Sequence, residues 1–189
     1  MRLSGVVISV LVIGSAFRAV SQKAVYRNHQ YGIVLTVPGE ALACMPPVYE
    51  GSGADHGLQI LLGSNDPTLC GKSSGKRYME VFASYTATDE EKTLQGKLES
   101  RCEFEVKRAC SPAPSGLYIH GLRTEAGRLD RPDGSTEIFV VTMAGKPASD
   151  FDASLPSISY TLNLVTDARH IDLDLVTFRA MLKAIKIAP

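Results

Sequence analysis

Residues 158–165 read Ile158-Ser159-Tyr160-Thr161-Leu162-Asn163-Leu164-Val165, and this run decides the fold. Ile158, Tyr160, Leu162 and Leu164 alternate with Ser159, Thr161, Asn163 and Val165, the period of two that sends successive side chains to opposite faces of a strand. A strand with one apolar row and one mostly polar row belongs in a sheet with one face drier than the other. Just downstream, Leu175, Phe178, Met181, Leu182 and Ile185 fall at i, i+3, i+6, i+7 and i+10, the apolar stripe of a helix. Asp172 suits its N-cap with Asp174 in the first turn, while Lys183 and Lys186 sit near the end where the helix dipole favours positive charge.

Working upstream, residues 117–124 and 136–143 flank Asp133-Gly134, a hairpin signal. Residues 78–85 alternate Tyr78, Glu80, Phe82 and Ser84 with Met79, Val81, Ala83 and Tyr85. Two shorter apolar runs, 58–62 and 31–37, complete the strands, the latter closed by Pro38-Gly39. Between them lie a Pro/Gly-rich stretch, 45–57, and a polar one, 63–76, both with the composition of loops. A first helix is expected after Thr88, whose partner Glu91 makes a capping box; Leu94, Leu98 and Cys102 then share one face. Gly96 weakens that helix by about 1 kcal/mol relative to Ala, so packing has to hold it. The order β-β-β-α-β-β-β-α with hairpin-length connections defines an α+β domain. It predicts a mostly antiparallel sheet of about six strands with two helices packed on its drier side.

The first 21 residues stand apart. Arg2 precedes an uncharged stretch, 5–17, and Ala19-Val20-Ser21 offers small residues at −3 and −1, the layout of a cleavable signal peptide. The stretch is shorter than the roughly 20 residues of a spanning helix. The whole chain of 189 residues balances 20 basic against 20 acidic residues. Cleavage after Ser21 removes two arginines and no acid, leaving a single exported domain, 22–189, of 168 residues with charge −2. A neutral to slightly acidic domain has no basic stripe for nucleic acid and no attraction for anionic membrane surfaces. The expected location is periplasmic or extracellular, with no membrane span after cleavage.

Cys44, Cys70, Cys102 and Cys110 all follow the cleavage point. In an oxidising compartment an even count forms disulfides, and of the three connectivities the favoured one is Cys44–Cys70 with Cys102–Cys110, each closing a loop-like stretch. No C-x-x-C or H-x(3–5)-H spacing accompanies them, so neither metal nor other cofactor is expected.

Gly71-Lys72-Ser73-Ser74-Gly75 matches G-x-S-x-G, and a small secreted hydrolase using Ser73 is the alternative function. That chemistry needs a strand-to-helix turn at the serine, whereas a strand is expected next. The same stretch ends like a phosphate-binding loop, but Asp66 stands where its first glycine belongs. His120 and the group His170, Asp172 and Asp174 carry metal-binding residue types, yet the acids are already accounted for at the helix start. The stretches around the Cys44–Cys70 bridge are the better candidates for recognition, since a long loop in a compact domain is often functional. Tyr49, Asp55, His56, Lys76 and Arg77 are its candidate contact residues.

Tyr31-Gly32-Ile33-Val34-Leu35-Thr36-Val37-Pro38, the central antiparallel run and the closing Phe178-Arg179-Ala180-Met181-Leu182-Lys183-Ala184-Ile185 together resemble the frame of the PsbP/Mog1-like group. That group comprises small α/β/α sandwiches with an F-x-x-x-x-P-type first strand and an F-x-x-x-L-x-S-I-type last helix. The resemblance covers the ends and rhythm of the domain and leaves out the stretch between Cys44 and Cys70. It implies a non-catalytic binding or assembly domain and transfers no active-site residue. The expected function is an exported, non-enzymatic binding protein, of periplasmic assembly or inhibitor/immunity type, whose partner is another exported protein.

Overall fold

The computed structural model describes residues 25–37, 41–44, 56–64, 66–70, 77–85, 93–106, 110–144 and 158–188. Among them are ten strands and two α-helices: β1 Val25–Asn28, β2 Ile33–Thr36, β3 Leu42–Cys44, β4 Gly57–Leu61, β5 Tyr78–Tyr85, α1 Leu94–Val106, β6 Ser111–Pro112, β7 Thr124–Asp130, β8 Ser135–Ala144, β9 Ile158–Asp167, α2 Ile171–Ala184 and β10 Lys186–Ile187. The chain is an α+β fold dominated by antiparallel sheet, as its patterning requires. Seven strands pair in the order β3-β4-β5-β9-β8-β7-β6, and β1, β2 and β10 form a small second sheet. No helix among the described residues is long and apolar enough to cross a membrane.

The decisive run occupies the centre of the large sheet. Ile158, Tyr160, Leu162 and Leu164 point to one face, where they join Met79 and Val81 of β5, Ile138 and Val140 of β8, and the α2 stripe Leu175, Phe178, Met181 and Leu182. Ile33 and Leu35 of the small sheet complete that core. Apolar rows from five elements thus exclude water together, and burial of each such side chain contributes roughly 1.5–3 kcal/mol.

On the opposite face Leu98 and Cys102 of α1 pack against Leu129 of β7 and Phe139 and Val141 of β8. The two helices therefore sit on opposite faces, not both on the drier one. Polar residues on the second face do not keep a helix away, because β7 offers a close approach. A Cβ at Gly127 would lie 2.9 Å from both Cys110 Sγ and Phe139 Cζ, so only glycine lets α1 and its disulfide settle there.

Several boundaries differ from the expectation. The first strand of the hairpin is Thr124–Asp130, and residues 117–123 form no strand although Leu117 and Ile119 are buried. Residues 131–134 turn the hairpin, with Gly134 at φ 83°. In place of one strand over 31–37, Gly32 at φ 63° ends a turn that leads into β2. The proposed cap at Thr88–Glu91 lies outside the described residues. The described helix starts after Thr93, whose Oγ1 accepts from Gly96 N–H at 3.0 Å. For α2 the capping oxygen is not on Asp172. Asp167 Oδ1 accepts from Arg169 N–H and His170 N–H at 2.8 and 3.2 Å, before the helix begins.

Candidate functional site

Four of the candidate residues can be followed to the edges of the undescribed stretches. Cys44 ends β3, one edge strand of the large sheet, and is bonded to Cys70 after the 3-10 turn Pro67–Leu69, with Cα atoms 5.4 Å apart. His56, just before β4, places Nδ1 at 3.0 Å from both Tyr31 Oη and the Ala83 carbonyl. Its ring stacks on Phe82 at 5.4 Å. Arg77, just before β5, donates through Nε and Nη2 to the two oxygens of Asp174 at 2.8 and 2.6 Å. Asp174 is almost fully buried in α2 and also accepts from Thr166 Oγ1 at 2.5 Å. The pair holds the Arg77 guanidinium above its ordinary pKa, chiefly through that hydrogen bond. His56 and Arg77 thus anchor the ends of the stretches rather than standing free. Tyr49, Asp55, Lys76 and Ser73 lie outside the described residues.

The second disulfide, Cys102–Cys110, joins α1 to the start of β6 with Cα atoms 5.4 Å apart. Beside it, Glu137 of β8 is fully buried and accepts from Arg101 Nη2 at 2.8 Å and Arg131 Nη2 at 2.5 Å. A buried carboxylate left without such partners is costly. These three residues and the disulfide fix the position of α1 on the sheet.

Fixing α1 there shapes a cleft that local sequence patterns did not indicate. It has a volume of about 330 Å³. Its wall is one face of α1, carrying Lys97, Ser100 and Arg101 at i, i+3 and i+4. Its floor is two cross-strand pairs of β5 and β9, Glu80 with Asn163 and Phe82 with Thr161. One strand further out, Gln59 of β4 lies opposite Glu80, so carboxamide, carboxyl and carboxamide stand in one row on the sheet. Phe82 is 41% exposed, a large aromatic face open to solvent. Asn163 is over nine-tenths buried; its Nδ2 donates to Glu80 Oε2 at 3.4 Å, and its Oδ1 has no partner. Burial raises the Glu80 pKa above its ordinary value, Arg101 and the Asn163 hydrogen bond oppose this, and Glu137 adds to it. Burial likewise pushes Tyr78, on the same face of β5, up to about 12.

His170 Nδ1 lies 2.8 Å from Asp167 Oδ1 at the start of α2, which holds the Asp167 carboxyl below its ordinary range. No group of three or more metal-ligating side chains occurs among the described residues.

Fold and site together describe a disulfide-braced α+β sandwich with a mixed-charge cleft between one helix and the centre of its sheet. The sequence matches no family model and no curated protein. Among solved structures the chain is similar to cyanobacterial PsbP (CyanoP) from Synechocystis sp. PCC 6803, in a solution structure, at 10% identity and a TM-score of 0.42, over 95% of this chain and 98% of that one. The similarity is one of fold outline.

Proposed function

We propose that the chain is an exported, non-enzymatic binding protein, released from a signal peptide over residues 1–21 and engaging another exported protein through the stretch braced by Cys44–Cys70. The observation that carries this is the anchoring of the stretch. The disulfide, the His56 contacts with Tyr31 and Ala83, and the Arg77–Asp174 pair tie its ends to β3, β4, β5 and α2. A recognition segment with rigidly held ends loses less entropy when a partner orders it. His56 and Arg77 are spent on this anchoring, which leaves Tyr49, Asp55 and Lys76 as the contact residues. Assembly and inhibitor/immunity roles both fit such a surface.

The test is crosslinking and affinity capture from the exported fraction, using the wild-type chain and a variant with Tyr49→Ala, Asp55→Ala and Lys76→Ala. A stoichiometric partner recovered by the wild type and lost with the variant supports the proposal. Recovery of no partner, or equal recovery by both, overturns it. A mass measurement of the native product, with and without reductant, checks cleavage after Ser21 and the two cysteine pairs together.

A further inference from the structure

We infer that the outward face of α2 is the contact surface of a weak two-fold dimer, in which the helix packs antiparallel on the same helix of a second copy of this chain. α2 buries Leu175, Phe178, Met181 and Leu182 toward the sheet. The opposite side of a surface helix ordinarily carries charged and polar residues. Here Leu173, Val176 and Ala180 run along its middle at i, i+3 and i+7. Leu173 and Val176 are each 64% exposed, more than any other large apolar side chain among the described residues. Helix propensity does not account for a β-branched valine on a solvent-facing turn, where straight-chain residues do better. An apolar stripe in that place is relieved when a second apolar surface covers it.

The flanking charges make the stripe complementary to itself. Asp172 and Lys183 are both exposed and stand on the same flank of it, eleven residues apart, roughly 16 Å along the axis. Neither makes an ion pair among the described residues. A two-fold axis at the level of Phe178 sets Val176 of one copy opposite Ala180 of the other, large against small. The same axis brings Asp172 of each copy to Lys183 of the other, one contact made twice, as an isologous interface requires. Parallel packing would instead set Asp172 on Asp172 and Lys183 on Lys183. The antiparallel arrangement also lays the positive end of each helix dipole beside the negative end of the other. Arg179, between the two charges on that flank, is drawn aside, its Nη2 donating to the Ser115 carbonyl at 2.9 Å. Arg169 and Lys186 lie outside the paired residues, before and after the helix. Three apolar residues and two exposed ion pairs form a small contact, at the weak end of specific association. No residue of it belongs to the stretch between Cys44 and Cys70, so the dimer and the proposed function stand or fall separately.

The experiment is sedimentation and translational diffusion of the full mature chain from about 20 µM to about 2 mM, with amide shifts followed across the series. A monomer–dimer equilibrium with a Kd of about 0.1–1 mM is expected, with its shifts concentrated in residues 172–183. Asp172→Lys and Lys183→Asp each set like charges opposite one another and should weaken association about tenfold. Mixed in equal amounts, the two variants face every lysine with an aspartate, so association should return to near the wild-type strength. A mere helix-end effect cannot give that recovery, because both substitutions oppose the dipole of α2 in the same sense. Leu173→Ser with Val176→Ser should abolish the dimer while thermal melts confirm the fold, since both side chains are exposed. A chain that stays monomeric at about 2 mM, a dimer whose shifts lie outside α2, or a mixture that fails to recover overturns the inference. So does a monomeric chain whose double serine variant loses another exported protein that the wild type captures, for the stripe then belongs to that partner.

Discussion

The two faces of the seven-stranded sheet are held by different forces. On the α2 face, water is excluded by interlocking apolar rows, and the principal buried ion pair, Arg77–Asp174, sits at the margin where β5 begins. On the α1 face the dry residues fall into two smaller clusters, Leu98, Cys102, Leu129, Phe139 and Val141 under the helix and Cys44, Leu61, Tyr78 and Val165 further along the sheet; α1 itself is fixed by a disulfide and by Glu137 between two arginines. Hydrophobic burial is non-directional and covers a face evenly, whereas point contacts hold a helix in place and leave room beside it. The cleft lies beside α1 for that reason.

The comparison breaks most sharply in the core. Phe178 is fully buried among the apolar rows, so Phe178→Ala should cost about 3–5 kcal/mol in urea unfolding. Leu98 belongs to the smaller cluster and keeps 8% exposure, so Leu98→Ala should cost less, about 2–3 kcal/mol. Equal costs would mean that the α1 face is as tightly packed as its opposite.

These core positions were also the legible part of the chain. The period-two runs of β5 and β9, the hairpin arm of β8 and the α2 stripe are all visible locally. What could not be read is what depends on pairing partners. β7 offers Leu129 as its one fully buried large apolar residue and has a glycine at its centre, so its strand character comes from β8 beside it and α1 above it. Leu117 and Ile119 mimic a strand because they are buried without a ladder. β1, β3, β6 and β10 are two to four residues long, too short to show a period. The row Gln59, Glu80 and Asn163 exists only in the register of three strands. Its local traces are Gln59 and Glu80, each polar within an otherwise apolar run, whereas Asn163 is one of several polar residues in its row of β9.

The disulfides sharpen the contrast in a second way. They close 26 and 8 residues, and the chain-entropy relation gives about 3.5 kcal/mol for Cys44–Cys70 and about 2.5 kcal/mol for Cys102–Cys110. Paired serine substitutions should reproduce that order in urea midpoints. Local effects should differ: loss of Cys102–Cys110 should speed amide hydrogen exchange in α1 and leave α2 unchanged. Uniform acceleration of both helices would show that α1 does not depend on its staple.

Each face also carries one buried carboxylate. Asp174→Asn and Glu137→Gln each remove a charge whose arginine partners keep 20–31% exposure and can turn to water. The cost should therefore be about 2 kcal/mol, below the 3–5 expected when a wholly buried partner is stranded. Combining Arg101→Gln with Glu137→Gln should cost less than the sum of the single changes, a coupling read from a double-mutant cycle.

The smallest effect is a pH dependence to which the cleft contributes through Glu80. Glu80 has a raised pKa in the folded state, so folding takes up a proton between the unfolded and folded values. Its contribution is fully present below the unfolded carboxylate pKa and is lost as pH rises through the folded one. Asp133 and Asp167 shift the other way, so theirs is present above the unfolded pKa and lost as pH falls through the folded value. Glu80→Gln removes the first trend and leaves the second. Thermal melts of the variant should gain on the wild type as pH rises from the unfolded carboxylate value through the folded Glu80 titration, and the two should converge below it. A constant difference across that range would mean that Glu80 titrates alike in both states and that the floor beneath α1 does not penalise its charge. In that case α1 leaves the polar row open to water, and the two faces differ in packing alone.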